Sequence, residues 1–359
     1  MGGSGIDEGA FSRWADADSP RRTGGISGRG VLEVLGPLTG SACLTFTVCR
    51  FFGWDGLLAP TVVALVLFLG VYSQVVKASA GQEAAIDRVM AALVVLGAMA
   101  ATAVLAGLVL YVVAKGAAAL SLSFFVQDMA TTGPEDPGGG AFHAIVGTVQ
   151  QCGIATIIAV PMAVLSAIYL NEIKGRMAVA VRFLVDAMSG VPSIVAGMFI
   201  YAFWMIGLNQ GPSGFAAALA LTVLMLPTVT RTAEEVLRTI PDSLREASFA
   251  LGAPQWRTVV RIVLPTARSG LLTAVLLGMA RIVGETAPVL LTAKGSPATN
   301  WNAFEGQQSD LPLFIYGLLR QPNKAQLDRA YSGALVLLIL VALLFAVARI
   351  AGSGPRRRR

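Results

Sequence analysis

The chain has 359 residues, 55% of them hydrophobic and only 13% charged, with a mean hydropathy of +0.69. Soluble domains carry about 25% charged residues, so this composition excludes an ordinary water-soluble protein and points to lipid as the solvent. The formal net charge of +6 does not indicate nucleic acid, because the basic residues lie in short loops between apolar runs and in the tail 356–359, where cytoplasmic flanks of membrane spans carry them.

Residues 1–30 are rich in Gly, Ser, Arg and Asp and are expected to be a disordered cytoplasmic N-terminus. They lack the short apolar core and cleavage site of a signal peptide, so insertion is expected to rely on the chain's own spans. Two apolar runs follow, 34–52 and 57–76; the first holds Gly36, Pro37 and Gly40, which leaves a re-entrant hairpin open as an alternative to two spans. Six stronger runs come next, at 88–114, 142–170, 179–206, 215–229, 270–291 and 332–350. Each approaches or exceeds the roughly 18 apolar residues that a membrane helix needs. The fold class is therefore all-α, a polytopic transmembrane helical bundle.

Loop charges set the expected orientation. One set of loops holds Lys77, Arg88, Lys174, Arg176, Arg182, Arg231, Arg238, Arg245, Arg257, Arg261, Arg268 and the basic tail 352–359. The alternate set is poorer in positive charge: Lys115 faces Asp128, Glu135 and Asp136, and Lys294, Arg320, Lys324 and Arg329 are offset by Glu305, Asp310 and Asp328. Both termini are thus expected in the cytoplasm, with six or eight spans between them. Cys43, Cys49 and Cys152 lie in apolar segments without paired spacing and read as small core residues, and a lone His143 cannot build a metal site and defaults to a surface role. No metal ligand set is expected.

The cytoplasmic loop 231–268 is the longest inner one. Glu234 and Glu235 open it, Asp242 or Ser243 is placed to cap a helix, and Leu244, Ala247, Leu251, Val259, Val260 and Val263 recur at helical spacing. Gly252, Ala253 and Pro254 interrupt the pattern, so the expectation is two short amphipathic helices joined at an elbow, with the apolar stripe offered to something other than lipid. Within it, Glu246, Ala247 and Ser248 are followed after three residues by Gly252, after nine more by Ile262, and then by Leu264 and Pro265. This resembles the EAA signature of ABC importer permeases, departing only in Ser for Ala at its third position. The resemblance implies that the elbow docks on an ATPase, with the small residues and glycine seating it closely and Pro265 redirecting the chain toward the next span. No lysine is followed by Ser or Thr, so this chain has no P-loop and is no enzyme by itself.

Over roughly 89–350 the chain also resembles PstA-type phosphate permeases, through GT at 147–148, AIYLNE at 167–172, SGVPSIVAG at 189–197, LPTVTRTAEE at 226–235 and ARIVGETAP at 280–288. It is identified as a member of that family, with residues 88–351 as the permease domain of the type I importer (MetI-like) fold. Residues 31–87, two extra N-terminal spans and a linker, lie outside the usual family pattern. The resemblance implies import of inorganic phosphate into the cell across a bacterial plasma membrane. It implies as partners a second permease subunit of PstC type, a dimer of ATP-binding subunits of PstB type and an extracytoplasmic phosphate-binding protein of PstS type. It implies no cofactor on this chain, ATP and magnesium being held by the ATPase. Other oxyanions, sulfate or molybdate, remain alternatives, and a self-sufficient secondary transporter is disfavoured because no inverted repeat is visible.

Residues within the spans refine this. Arg281 and Glu285 sit in run 270–291, where a charge costs about 2.5–3.5 kcal/mol on insertion scales unless it faces a polar cavity or partner. Four apart on one helix, they share a face. Two readings stand: Arg281 binds the oxyanion while Glu285 accepts a hydrogen bond from protonated phosphate and penalises sulfate, or the two simply pair with each other. Arg182 and Asp186, also four apart, read as a structural pair, Arg231 as an inner-mouth charge, and Ser189, Gly190, Gly197, Gly278 and Gly284 as close-contact positions at a heterodimer seam.

Overall fold

The computed structural model describes residues 28–352 apart from 54, 55, 57, 137, 174 and 322. The expected disordered N-terminus and basic tail lie almost wholly outside the described residues, although Gly28 to Gly30 already belong to the first helix. Among the described residues the structure is helical, the exception being an isolated bridge between Lys294 and Gln308. Seven helices are long and apolar enough to cross a membrane, or eight if one sharply bent pair counts as a span.

The chain divides inside a helix, at Gly107, into two compact units. The first unit holds α1 (Gly28–Phe52), α2 (Leu58–Ala80) and the start of α3 (Gln82–Ala119). At 25 and 23 residues, α1 and α2 are each long enough to cross a membrane. Pro37 is accommodated within α1, and hydroxyls such as Thr39, Ser41 and Thr45 bond back to carbonyls of the preceding turn. None of the most apolar window of α3 is buried in the chain, the exposure expected of a helix that faces lipid or another subunit.

The second unit holds the rest: α4 (Phe142–Glu172), α5 (Arg176–Ser189), α6 (Ser193–Ile200, continuing in wider π-type turns through Tyr201–Gly207), α7 (Gly214–Arg238), α8 (Asp242–Ala250), α9 (Gln255–Thr258), α10 (Leu264–Val283), α11 (Ala287–Thr292), α12 (Leu311–Leu319) and α13 (Lys324–Gly352). Its core is the seam between α4 and α7. Ala155, Ala159, Ala163 and Ala167 recur every fourth residue on α4, all fully buried, the first three against Ala217, Leu221, Leu224 and Met225 of α7 and Ala167 against Ala233 and Leu237 farther along it. Small side chains let the two backbones approach, which supplies packing where lipid provides no hydrophobic drive.

Three sequence expectations change. Run 179–206 is not one straight span: α5 and the helix after it meet at 106°. Pro192 lacks an N–H and bars the residue before it from the helical region, so the chain turns and α6 starts afresh. Run 270–291 is likewise displaced. The helix begins at Gln255, runs through α9 and α10 to Val283, then breaks, and Ala287–Thr292 is a separate short helix. Finally, the small residues do not all mark a seam with another subunit. Gly197 packs on Pro288 and Gly278 on Val229 within this chain, each too close to admit a Cβ.

Candidate functional site

The stretch 231–268 is less a loop than two helix ends and an elbow. α7 continues through Glu234 to Arg238 because Arg182 and Arg238 both donate to one oxygen of Glu234, each at 2.6 Å, neutralising a buried carboxylate in the last turn. The elbow itself is 239–263, α8 and the start of the following helix with the turn between them. Asp242 does not cap α8, since Pro241 holds the cap position and Asp242, in the first turn, accepts from Arg245 at 2.9 Å. α8 ends in a Schellman arrangement: the Gly252 N–H donates to the Phe249 carbonyl and the Ala253 N–H to the Ser248 carbonyl, with Gly252 at φ +74°. A left-handed residue is needed there, and glycine adopts it without a Cβ penalty.

The signature residues separate by face. Glu246 and Ala247 are exposed and Ser248 is buried. The departure from Ala at position 248 has a local partner: the Ser248 and Thr258 hydroxyls lie 2.8 Å apart in the crook of the elbow. Ile262 lies in a π-type stretch, Val259–Val263, in which the Leu264 N–H reaches back to the Val259 carbonyl. Pro265, expected to redirect the chain, instead sits just inside a helix that runs straight on. It has no N–H for the carbonyl four residues back, and the widened turn before it absorbs that missing bond. Leu244, Phe249, Leu251, Trp256 and Val260 leave an apolar ridge exposed on the elbow, with the Arg257 guanidinium over the Trp256 ring.

Behind the ridge lies a charged cluster. Arg245 donates to Glu172, the last residue of α4, and to the carbonyls of Leu237 and Ile240 at the end of α7. Arg182 and Asp186 do not pair with each other. Arg182 reaches Glu234 and Asp186 takes Arg231, because α5 lies along α7 and places each opposite an ion of the other sign. Arg231 is thus a paired residue, not a free charge at the mouth.

Arg281 and Glu285 are not brought together as one helix face would require. Arg281 occupies the last turn of α10, is exposed, and donates to the Thr228 hydroxyl of α7 at 3.0 Å. Glu285 lies beyond Val283 in the break at 284–286, and no ion pair joins the two. The break is built by packing: Gly197 of α6 seats against Pro288 of α11, so the strings SGVPSIVAG and GETAP meet in space. Such interruptions are tolerated at membrane depth where they line a cavity or face protein. His143 proves buried, its ring edge-on to Phe314. Trp301 and Phe304 of the long loop 294–328 cover the starts of α4 and α7, against Phe142 and Phe215.

Sequence reasoning had singled out Arg281, Glu285, Glu246, Ala247, Ser248, Gly252, Ile262, Leu264 and Pro265. It missed Thr228, Glu172 and the role of Glu234 as a shared acceptor. Of these, only Glu234 with Arg238 carried a signal, through their spacing of four.

Residues 159–354 match the family described as binding-protein-dependent transport system inner membrane component. The phosphate transport system permease protein PstA 1 of Mycobacterium tuberculosis is 45% identical over 251 residues, which cover 69% of this chain and 82% of that one. PstA of Pasteurella multocida is 38% identical over 240 residues, covering 66% and 84%. The chain belongs to the PstA family of binding-protein-dependent transport permeases. It is a multi-pass membrane protein with the fold of the type I, MetI-like importer permeases. A bacterial alginate ABC transporter, solved in complex with an alginate pentasaccharide-bound periplasmic protein, superposes with a TM-score of 0.53 at 16% identity, covering 73% of this chain and 93% of the other. That likeness carries the fold alone.

Proposed function

We propose that this chain is one permease subunit of an ABC importer that moves inorganic phosphate into a bacterial cell, driven by ATP hydrolysis on a separate subunit. The observation that carries the reading is the elbow at 239–263, turned at the left-handed Gly252, which presents Leu251 and Trp256 outward beside the exposed Glu246. An exposed apolar ridge edged by charges of both signs, Glu246 and Arg257, suits a groove on a motor protein better than a lipid surface. The relatives' names supply the cargo. By the distribution of loop charge the elbow and both termini face the cytoplasm. A second permease of PstC type, two ATPases of PstB type with ATP and magnesium, and a phosphate-binding protein of PstS type complete the machine.

In this reading Arg281 receives the anion as it passes the break at 284–286. Its guanidinium already holds a neutral hydroxyl, Thr228, a partner that an oxyanion displaces at little cost. Glu285, free of Arg281, accepts a hydrogen bond from phosphate, which keeps a proton near neutral pH, and repels sulfate, which has none. The test is uptake of radiolabelled phosphate into vesicles containing the assembled complex, with and without ATP, in competition with sulfate. ATP-dependent uptake that sulfate does not suppress is expected. Uptake by this chain alone contradicts the importer, and equal suppression by sulfate contradicts the cargo.

A further inference from the structure

We propose that Arg245 is a positioning residue that couples the elbow to the membrane bundle by clamping α8 to the inner end of α4, an inference that rests on the importer reading above. One guanidinium gathers four acceptors from three elements. Its Nη1 donates to the Ile240 carbonyl and to Asp242 Oδ1, both at 2.9 Å, its Nη2 to the Leu237 carbonyl at 3.2 Å, and its Nε to Glu172 Oε1 at 3.3 Å. Glu172 ends α4, the helix whose alanine stripe packs on α7. The far limb of the elbow returns to the same residue, where Gln255 Nε2 donates to the Glu172 carbonyl at 3.2 Å, and Asn171 Nδ2 donates to Glu172 Oε1 at 2.9 Å. Both sides of α8 are therefore referenced to one residue at the end of one transmembrane helix, through its carboxylate on the Arg245 side and its backbone carbonyl on the Gln255 side.

Little else holds α8 in place. Ser248 is its single buried residue, and the bond of that hydroxyl goes to Thr258 inside the elbow. Between α8 and the end of α4 lies a cavity of about 650 Å³, lined by Glu172, Arg182, Arg238, Asp242, Arg245 and Phe249 among others. The clamp crosses an open space that packing does not fill. It is also shielded, with Arg245 and Glu172 side chains 12% and 10% exposed, so the pair is not a water-screened surface bridge. Arg245 faces the bundle while its neighbour Glu246 is exposed on the signature face, so adjacent residues of one short helix address the bundle and the motor separately. A planar fork of five donors meets four acceptors at once, which the single ammonium of lysine cannot reproduce.

A displacement of α8 by the ATPase then moves α4, and through the alanine seam α7. Without the clamp α8 rocks into the cavity, and hydrolysis proceeds without transport. The test reconstitutes the complete complex carrying wild type, R245Q, R245K, E172Q or R245Q with E172Q. ATP hydrolysis and phosphate uptake are measured in the same vesicles, and assembly is measured by co-purification of the ATPase. The expected result is that R245Q assembles and hydrolyses ATP while uptake per ATP falls about tenfold, the size of an ordinary coupling between two sites. R245K recovers only part of that, and adding E172Q to R245Q lowers it no further, as expected of two residues in one interaction. Should R245Q fail to assemble, E172Q carries the same measurement. Unchanged uptake per ATP in R245Q or E172Q overturns the proposal, as does failure of every single variant to assemble, which marks a folding role only. A wild-type complex that hydrolyses ATP but takes up no phosphate brings down the importer reading itself, a result distinct from any variant's.

Discussion

At the scale of single residues, the two charges at the end of α10 behave as separate groups. Since Arg281 holds Thr228 and not Glu285, its removal strands no buried carboxylate. We therefore expect R281A to assemble normally and to lose phosphate uptake by a factor of 100 or more, roughly the loss of one charged hydrogen-bonding anchor of about 3 kcal/mol; normal uptake would remove Arg281 from the pathway. A second residue gives a pH signature outside the seven spans. Asp310 caps α12, accepting from the Leu313 N–H at 2.9 Å, and burial pushes its carboxyl from 3.8 up to about 7. Between those values the folded state keeps a proton that the unfolded chain has lost, so the group's contribution to stability declines as pH rises from about 4 to about 7 and then levels off. Asp310→Asn keeps the capping acceptor without the charge. Its melting temperature in detergent is expected to exceed that of wild type at pH 8 and to vary less between pH 5 and 8. Parallel pH profiles for the two proteins would count against this.

At the scale of elements, the elbow depends on one backbone conformation. Replacing Gly252 with Ala places a Cβ at φ +74°, at a cost of about 1–2 kcal/mol in an element with little packing of its own. Reduced recovery of the ATPase on affinity-tagged permease is the expected readout, with the melting temperature of the bundle nearly unchanged. The signature spacing made this element legible, because Gly252 serves a local geometry that the sequence states, whereas Pro265 lies inside a continuing helix and its redirecting role is not seen. The spans were legible too, since apolar length alone defines them. What stayed hidden were the breaks. Val179 to Ile206 reads as continuous by hydropathy, and only the geometry of Pro192 bends it by 106°. The pairs across helices were hidden for a related reason: Arg182 and Asp186 satisfy the spacing rule for one helix, yet α7 offers both a better partner. Spacing along one helix carries no information about what a neighbour presents.

At the scale of the whole molecule, the two units invite a direct test. The match to the binding-protein-dependent family begins at residue 159, beyond α1 and α2. A chain starting just before α3, lacking residues 2–80, is expected to insert, to recruit the ATPase and to transport phosphate within about twofold of the full chain, a change of less than ~0.5 kcal/mol in the barrier. Loss of uptake with the ATPase still bound would assign α1 and α2 a share in transport itself. In the second unit, the two ends are organised differently. The end that holds Arg329 is tied down by side chains that grip backbone, as where Arg329 donates to the carbonyls of Gly133, Pro134, Asp136 and Gly138. The end that holds the elbow is bridged by ions across an open space.

The widened turn at Val259–Val263 joins these scales. Most helices resist twisting because rotation at any point strains a ladder of bonds, yet here, just ahead of a residue with no amide to give, the ladder is already spaced wide. A push delivered at Trp256 meets a stiff rod with one built-in swivel. Torque entering at that end can leave as rotation of the rod that carries Arg281, turning that side chain about the axis without dragging the rod through the bilayer.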